Sequence, residues 1–389
     1  MLPIEENDSF QELVVPLPED VPRRSTSKSA YIKQESDATE MTKSPTDLFA
    51  PPELEIRATS SYLSLNTPLK SSQGCPITKD WNVRYSHDLT IDVDCSFQKI
   101  RFQVASDLHI ESIYSHRDSS QDEIEKKLRS LIVPTAPFLI LAGDIGCPGS
   151  FLGEEYFRLF LEIQSKSFRN VFLVAGNHEY YSEISGVTGT YLTAPEIHSV
   201  IKEVVSSFKN VHFLDRKAAL IDGLRIIGCT LWTDVSEDRE VQIQSCISDY
   251  RRIHVPMYVG SKFPGSRPVT VQDTRIWHKY DLKFLQKQLA LASELGQDAV
   301  IVTHHAPVKE GTSHPAHCGS ALSSAFANDL LGLISKNSRS LKAWIFGHTH
   351  HCCDFDIDGV RIFANQRGYS HDLEARYSRT CIVEAVWQL

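Results

Sequence analysis

Between residues 107 and 350, five short runs set histidine, aspartate and asparagine at close spacing. Asp107 and His109 lie in ASDLH, Asp144 in AGD, and Asn177 and His178 in GNHE. His304 and His305 lie in THHAP, and His348 and His350 in GHTH. Imidazole, carboxylate and amide oxygen suit borderline or hard divalent ions such as Mn, Fe, Zn or Mg, with Mn the metal expected to serve best in vitro. No cysteine falls at these positions, which argues against a Cys-rich structural zinc site. Asp107, His109, Asp144, Asn177, His304, His348 and His350 are too many ligands for one tetrahedral ion, and they suit two ions sharing a bridging carboxylate. Two ions about 3.5–4 Å apart can hold a hydroxide between them and clamp the oxygens of an in-line displacement at phosphorus. Two divalent cations, two carboxylates and one hydroxide leave a surplus of about one positive charge, which attracts a phosphate ester. Asn177, used in place of a third aspartate, preserves that surplus.

Each run follows a short apolar segment of strand character. The segments are Ile100–Ala105, Phe138–Ala142, Val171–Ala175, Ala299–Thr303 and Ala343–Phe346, with Arg225–Thr230 and Val360–Ala364 of the same kind. Helical periodicity lies between several of them, at Gln121–Ile132, Glu154–Lys166, Pro195–Phe208, Asp273–Leu295 and Ala321–Lys336. Strands alternating with helices predict an α/β domain with buried sheets. The carboxyl ends of such strands converge on one crevice, so five of them build a single site. A lone Asp-x-His or Gly-Asp carries little information; five runs in order, each at a strand end, carry much more.

The 389-residue chain has a formal net charge of −9 and a charged fraction of 23%. This balance argues against a surface built to neutralise nucleic-acid phosphates. The charge is uneven, because residues 1–95 carry nine basic against sixteen acidic residues. Half of the 18 prolines precede residue 77, and no glycine precedes Gly74. A stretch so rich in Ser, Thr, Pro and Glu cannot bury enough apolar surface to offset its ordering entropy. Residues 1–95 are therefore expected to be mostly disordered, with an edge strand near 80–95, and residues 96–389 to form the catalytic domain. Nine cysteines, odd in number and without a paired CxxC, predict reduced thiols. The first residues, MLPIEENDSF, lack a basic and then apolar leader, and no run is long enough to span a bilayer, so the expected location is cytoplasmic.

The pattern D-x-H, G-D, G-N-H-[DE], a lone H and G-H-x-H resembles that of the calcineurin-like metallophosphoesterase superfamily, over about residues 98–389. The chain is also similar to a bacterial and fungal branch carrying G-C-T-L-W-T-D (Gly228–Asp234), D-[YF]-R-x-I (Asp249–Ile253) and N-x-R-G-Y (Asn365–Tyr369). The resemblance implies a four-layer α/β/β/α sandwich. It also implies that Asp107, His109 and His350 hold one metal, that Asn177, His304 and His348 hold the other, and that Asp144 bridges. The choice of His304 over His305 comes from the family's motif. His178 is then the group that assists the leaving oxygen, and the substrate is a phosphate mono- or diester. The protein Ser/Thr phosphatases of this superfamily continue the second run as G-D-x-x-D-R-G. Here it reads Gly-Asp-Ile-Gly-Cys-Pro-Gly over 143–149, without the aspartate that orients the catalytic histidine or the phosphate-binding arginine. That departure counts against protein-phosphatase activity. A silent scaffold of the same fold would be expected to have lost a ligand or the histidine, and none is missing.

Secondary expectations concern single residues. Arg367 either contacts phosphate or, more in keeping with a single arginine, forms a salt bridge. Asp249, Arg251 and Arg252 either cap the site or pair at the surface. Tyr180 and Tyr181 either line the pocket or join the core. His314 and His317 either contact substrate or a stray metal or, more in keeping with their polar surroundings, belong to a solvated loop, and Cys352 and Cys353 are free thiols. Trp277, Leu282, Leu285 and Leu289 recur at helical spacing as core positions.

Overall fold

The computed structural model describes residues 89–91, 100–114, 120–184, 189–259 and 262–385. Apart from residues 89–91, the expected disordered segment 1–95 lies outside the described residues.

Along the chain run β1 (Leu89–Ile91), β2 (Ile100–Ala105), α1 (Glu111–Tyr114), α2 (Gln121–Ser130), β3 (Phe138–Ala142), α3 (Gly153–Ser167), β4 (Asn170–Val174) and α4 (Ala194–Ser206). Next come β5 (Val211–Phe213), β6 (Lys217–Ile221), β7 (Leu224–Gly228), α5 (Glu240–Cys246), α6 (Asp249–Arg252), β8 (His254–Val259), β9 (Lys262–Pro268) and α7 (Val271–Glu294). The remainder is β10 (Asp298–Val302), α8 (Leu331–Asn337), β11 (Leu341–Ile345), β12 (Cys353–Ile357), β13 (Val360–Ala364), β14 (Gly368–Tyr369), β15 (Asp372–Leu373) and β16 (Ile382–Ala385).

Two mixed sheets form the centre, in the orders β16-β2-β3-β4-β5 and β1-β6-β7-β10-β11-β13-β12. The period-two rule sorts their side chains into three cores. Phe102, Val104, Phe138, Ile140, Phe172 and Val174 of the first sheet meet Ile226, Val300, Val302, Ala343, Ile345 and Phe363 of the second. The alternate residues Leu139, Leu141, Val171 and Leu173 face α2, α3 and α4, contributing to a core with Leu128, Phe157, Phe160 and Ile201. On the opposite flank Ile227, Ile301, Trp344 and Ile362 meet Phe284, Leu285 and Leu289 of α7. Both faces of each central strand are buried, which is why these segments read as unbroken apolar runs. The result is the four-layer α/β/β/α sandwich.

Local chemistry sets the helix starts. Ser120 with Glu123, Thr193 with Glu196, and Thr270 with Asp273 form capping boxes at α2, α4 and α7. Leu89–Ile91 pairs in parallel with β6 at the edge of the larger sheet, where an edge strand was expected.

One expected helix is broken. Residues 321–336 give a single turn at Ser323–Ala325 and then α8, with Ala327 bridged to Ala306 between them. The Ala306 amide donates to the Phe326 carbonyl, and its carbonyl accepts from the Asn328 amide and side chain. Tertiary pairing to the loop that follows His305 overrides local helix propensity here. No helix among the described residues is long and apolar enough to cross a membrane.

Candidate metal centre

The loops that follow β2, β3, β4, β10 and β11 meet where the two sheets abut. The parallel pairing of β2 and β3 continues past the strand ends, since Asp107 N donates to Gly143 O, His109 N to Asp144 O and Ile110 N to Ile145 O. Gly347 N donates to His304 O and links the loops of the second sheet. Asp107 Oδ1 accepts from His348 N at 2.9 Å, so a carboxylate of one sheet fixes a loop of the other.

Five of the predicted residues stand in the left-handed backbone region: Asp107 (φ 53°), His109 (46°), Asp144 (52°), His348 (74°) and His350 (49°). Non-glycine residues there cost roughly 1–3 kcal/mol each and cluster at functional sites. Gly143 has φ +86°, and a Cβ on Gly176 would lie 2.1 Å from Asp144 Oδ1. The first glycine permits the turn and the second permits the close approach of two loops.

All seven predicted residues come together. The ligand atoms of Asp107, His109 and His350 lie within 4.8 Å of one another, as do those of Asp144, His304 and His348. His109 Nε2 and His350 Nε2 are 3.0 Å apart, and His350 Nε2 is 3.5 Å from Asp107 Oδ1. Asn177 Oδ1 lies 2.9 Å from His304 Nε2, which joins it to the second group. Asp144 stands between the groups, with Oδ1 3.2 Å from His304 Nε2 and Oδ2 3.9 Å from His109 Nε2. His305 faces elsewhere; its ring lies against those of His348 and Trp232.

The donor set fits divalent cations. Asp107 is fully buried, yet its Oδ2 has no hydrogen-bond partner. A buried anionic oxygen without a partner is costly, and a cation is the partner that the converging imidazoles imply. Burial alone would push the His304 imidazole down, but the Asp144 and Asp107 carboxylates hold it up at about 10. The field at that nitrogen therefore favours a positive charge, which a proton or a metal can supply. His350 is pushed down to about 3 by burial and by the neighbouring His109, so its ring is neutral, the form that binds metal.

Behind the ligands lies a supporting layer that sequence reasoning missed. Glu111 Oε1 lies 3.0 Å from His109 Nδ1 and 3.1 Å from His178 Nδ1, holding both rings. Burial would raise this carboxyl, but its bonds to the two histidines bring it down to about 2. Glu111 thus holds the His178 ring by Nδ1, a contact for which the run at 143–149 offers no aspartate. Glu179 is fully buried and accepts from the amides of Asp144, Ile145, Gly146 and Gly176, clamping two ligand loops. Asp249 accepts from Asn177 Nδ2 at 2.8 Å and from Tyr181 OH at 2.6 Å. It is buried, which corrects the expectation of a surface ion pair. The signal for Glu111 was its place two residues beyond His109; for Asp249 the D-Y-R-R-I run was noticed but its depth was not.

The other candidates separate as follows. Tyr180 and Tyr181 are buried, and Tyr181 stacks on His178 at 4.2 Å. Arg367 forms no salt bridge among the described residues; its Nη1 donates to the Leu108 carbonyl and braces the D-x-H loop. Arg252 lies over the Tyr181 ring. His314 and His317 are exposed, and Cys352 and Cys353 are free. Trp277, Leu285 and Leu289 are buried, and Leu282 is partly so.

A family model for calcineurin-like phosphoesterases matches residues 100–352. Uncharacterized protein L509 of Acanthamoeba polyphaga mimivirus is 30% identical over 243 residues, which span 60% of this chain and 79% of that one. The solved structure of phosphopantetheinyl hydrolase (PptH) from Mycobacterium tuberculosis covers 74% of this chain and 96% of its own, with a TM-score of 0.51 and 17% identity. A dimetal phosphatase from Danio rerio gives a TM-score of 0.40 at 16% identity, over 68% of this chain and 86% of that one. By the extent of the family match, this chain belongs to the calcineurin-like phosphoesterases.

Proposed function

We propose that the protein is a dinuclear-metal phosphoesterase that hydrolyses phosphate mono- or diesters. The observation that carries this reading is the position of Asp144, which turns one carboxylate oxygen toward each of two ligand groups. Asp107, His109 and His350 would hold one ion, Asn177, His304 and His348 the other, and Asp144 both. When bound, two divalent ions supply an activated water and neutralise charge on the phosphoryl oxygens.

The chain's own residues do the rest. Glu111 fixes the ring of His178 through Nδ1, which leaves Nε2 as the nitrogen that can pass a proton toward the substrate's leaving group. Tyr181, stacked on the other side, limits rotation of that ring. Asp249 fixes the Asn177 amide so that its oxygen, rather than its nitrogen, faces His304.

The test is hydrolysis of p-nitrophenyl phosphate and bis-p-nitrophenyl phosphate by purified protein with added Mn²⁺, with metal content read on the same sample. About two ions per chain, with turnover lost in Asp144→Asn, is the expected result. A folded protein that binds no metal and turns over neither ester would overturn the reading. Metal with no turnover on either ester, or turnover confined to phosphopeptides, would replace it with a scaffold or a protein phosphatase.

A further inference from the structure

Most of the N-x-R-G-Y segment is accounted for by structure. Asn365 Nδ2 donates to the carbonyls of Val104 and Ser378, and Gln366 Nε2 donates to Thr349 and to the His351 carbonyl. Arg367 joins the D-x-H loop through both its amide and its guanidinium. Gly368, at φ +79°, sits where a Cβ would meet Asp372 O at 2.7 Å, in the tight β14–β15 hairpin. Tyr369 is left, and the segment sets it against the candidate metal centre. Its ring centroid lies 4.4 Å from that of His109 and 4.5 Å from that of His350. Its hydroxyl lies 3.1 Å from His178 Nε2, across 191 residues of sequence.

A ring needed only to pack on two histidines has no use for a hydroxyl aimed at the reactive nitrogen of a third. Glu111 Oε1, His178 Nδ1, His178 Nε2 and Tyr369 OH form one continuous hydrogen-bonded line. We infer that Tyr369 is a further catalytic residue whose hydroxyl stands between His178 and the leaving oxygen and delivers the proton. This inference rests on the phosphoesterase reading above.

The step balances. As the bond between phosphorus and the leaving oxygen breaks, that oxygen takes the phenolic proton, and the phenolic oxygen takes the proton on His178 Nε2. The imidazole ends neutral, with its Nδ1–H still held by Glu111, and the new bond joins phosphorus to the oxygen of the attacking water. Proton delivery matters most for poor leaving groups, because an alkoxide needs the proton and a nitrophenolate hardly does.

The experiment compares wild type, Tyr369→Phe, His178→Gln and the double variant, all Mn²⁺-loaded. Each acts on an alkyl ester and on a p-nitrophenyl ester of the class that the wild type prefers. Phenylalanine keeps the ring, so melting temperature and metal content control for packing. Tyr369→Phe is expected to lower kcat on the alkyl ester by about 10²-fold, with a loss at least about tenfold greater than on the p-nitrophenyl ester. The double variant is expected to be no slower than His178→Gln, because a relay fails as a unit. Equal losses on both esters, additive losses in the double variant, or an unimpaired Tyr369→Phe would overturn the relay while leaving the phosphoesterase standing. A metal-loaded wild type that turns over neither ester would overturn both.

Discussion

Asn177 Nδ2 donates to the buried carboxylate of Asp249 at 2.8 Å, the shorter of its two bonds beside one of 3.4 Å to Tyr181 OH, and this pairing sets which end of the amide faces the candidate metal centre. An amide nitrogen cannot ligate a cation, so a flipped Asn177 would remove one donor from the group it shares with His304 and His348. Asp249→Ala removes the closer acceptor of the amide, leaving only the longer bond to Tyr181 OH, and takes one of the two partners of Tyr181 OH as well. The expected result is a roughly 10–100-fold weaker affinity for one of the two ions. Metal content after dialysis would then fall from about two ions toward one, and excess Mn²⁺ would restore much of the turnover. Unchanged stoichiometry in Asp249→Ala would show that packing and the bond to Tyr181 OH orient Asn177 without Asp249.

The orienting role assigned to Glu111 makes a different prediction. Its Oε1 lies within 3.1 Å of Nδ1 of both His109 and His178, one a candidate ligand and the other the candidate acid. Glu111→Gln keeps the size and removes the charge, so substrate binding should survive better than chemistry. At saturating Mn²⁺, kcat is expected to fall about 10–100-fold with KM within about twofold of wild type. Steady-state kinetics on an alkyl ester of the class that the wild type prefers would check this, and a rise in KM with kcat unchanged would remove the orienting role.

How far the sequence spoke depends on how local each interaction is. β2, β3, β4, β10 and β11 were legible because both faces of each are buried, which leaves apolar runs that end at a ligand. The β8–β9 ribbon, HVPMYV and KFPGSRP, was not, because it carries prolines, lacks an unbroken apolar run and, among the described residues, forms a separate two-stranded sheet. The seven converging residues showed themselves by type and spacing. Glu111 and Asp249 did not: Glu111 sits two residues beyond His109, but its second partner His178 lies 67 residues away and Asp249's partner Asn177 lies 72 away, and no local rule pairs them. Residues 321–336 misled for the reverse reason: helical composition yields there to a bridge between Ala327 and Ala306.

Glu179 illustrates a motif position whose work is structural. Its carboxylate accepts four backbone amides from the loops that carry Asp144 and Asn177, with distances from 2.6 to 3.2 Å. In Glu179→Gln one oxygen becomes an NH₂ that must face backbone donors, leaving buried amides without an acceptor. A loss of about 2–4 kcal/mol in unfolding free energy is expected, read by urea denaturation. The metal-loaded protein should lose turnover in step with folded fraction. A variant as stable as wild type would mean that the loops hold themselves.

His212 supplies a pH dependence remote from the centre. It lies in β5, stacked on Phe172 with ring centroids 5.4 Å apart, and its Nε2 donates to Asn170 Oδ1 at 2.7 Å. Burial, reinforced by the neighbouring Lys217, pushes this imidazole down to about 4 from the ordinary 6.5. The folded state therefore keeps the ring neutral where the unfolded chain protonates it. Between pH 6.5 and 4 the unfolded state binds more protons, so stability is complete above the upper value and is lost as pH falls toward the lower. The contribution is at most about 3 kcal/mol. His212→Gln removes the titration, so from pH 7 to 4.5 wild type should lose about 1–3 kcal/mol more than the variant in urea unfolding. Parallel pH profiles for the two proteins would mean that water reaches the ring and that burial does not set its protonation.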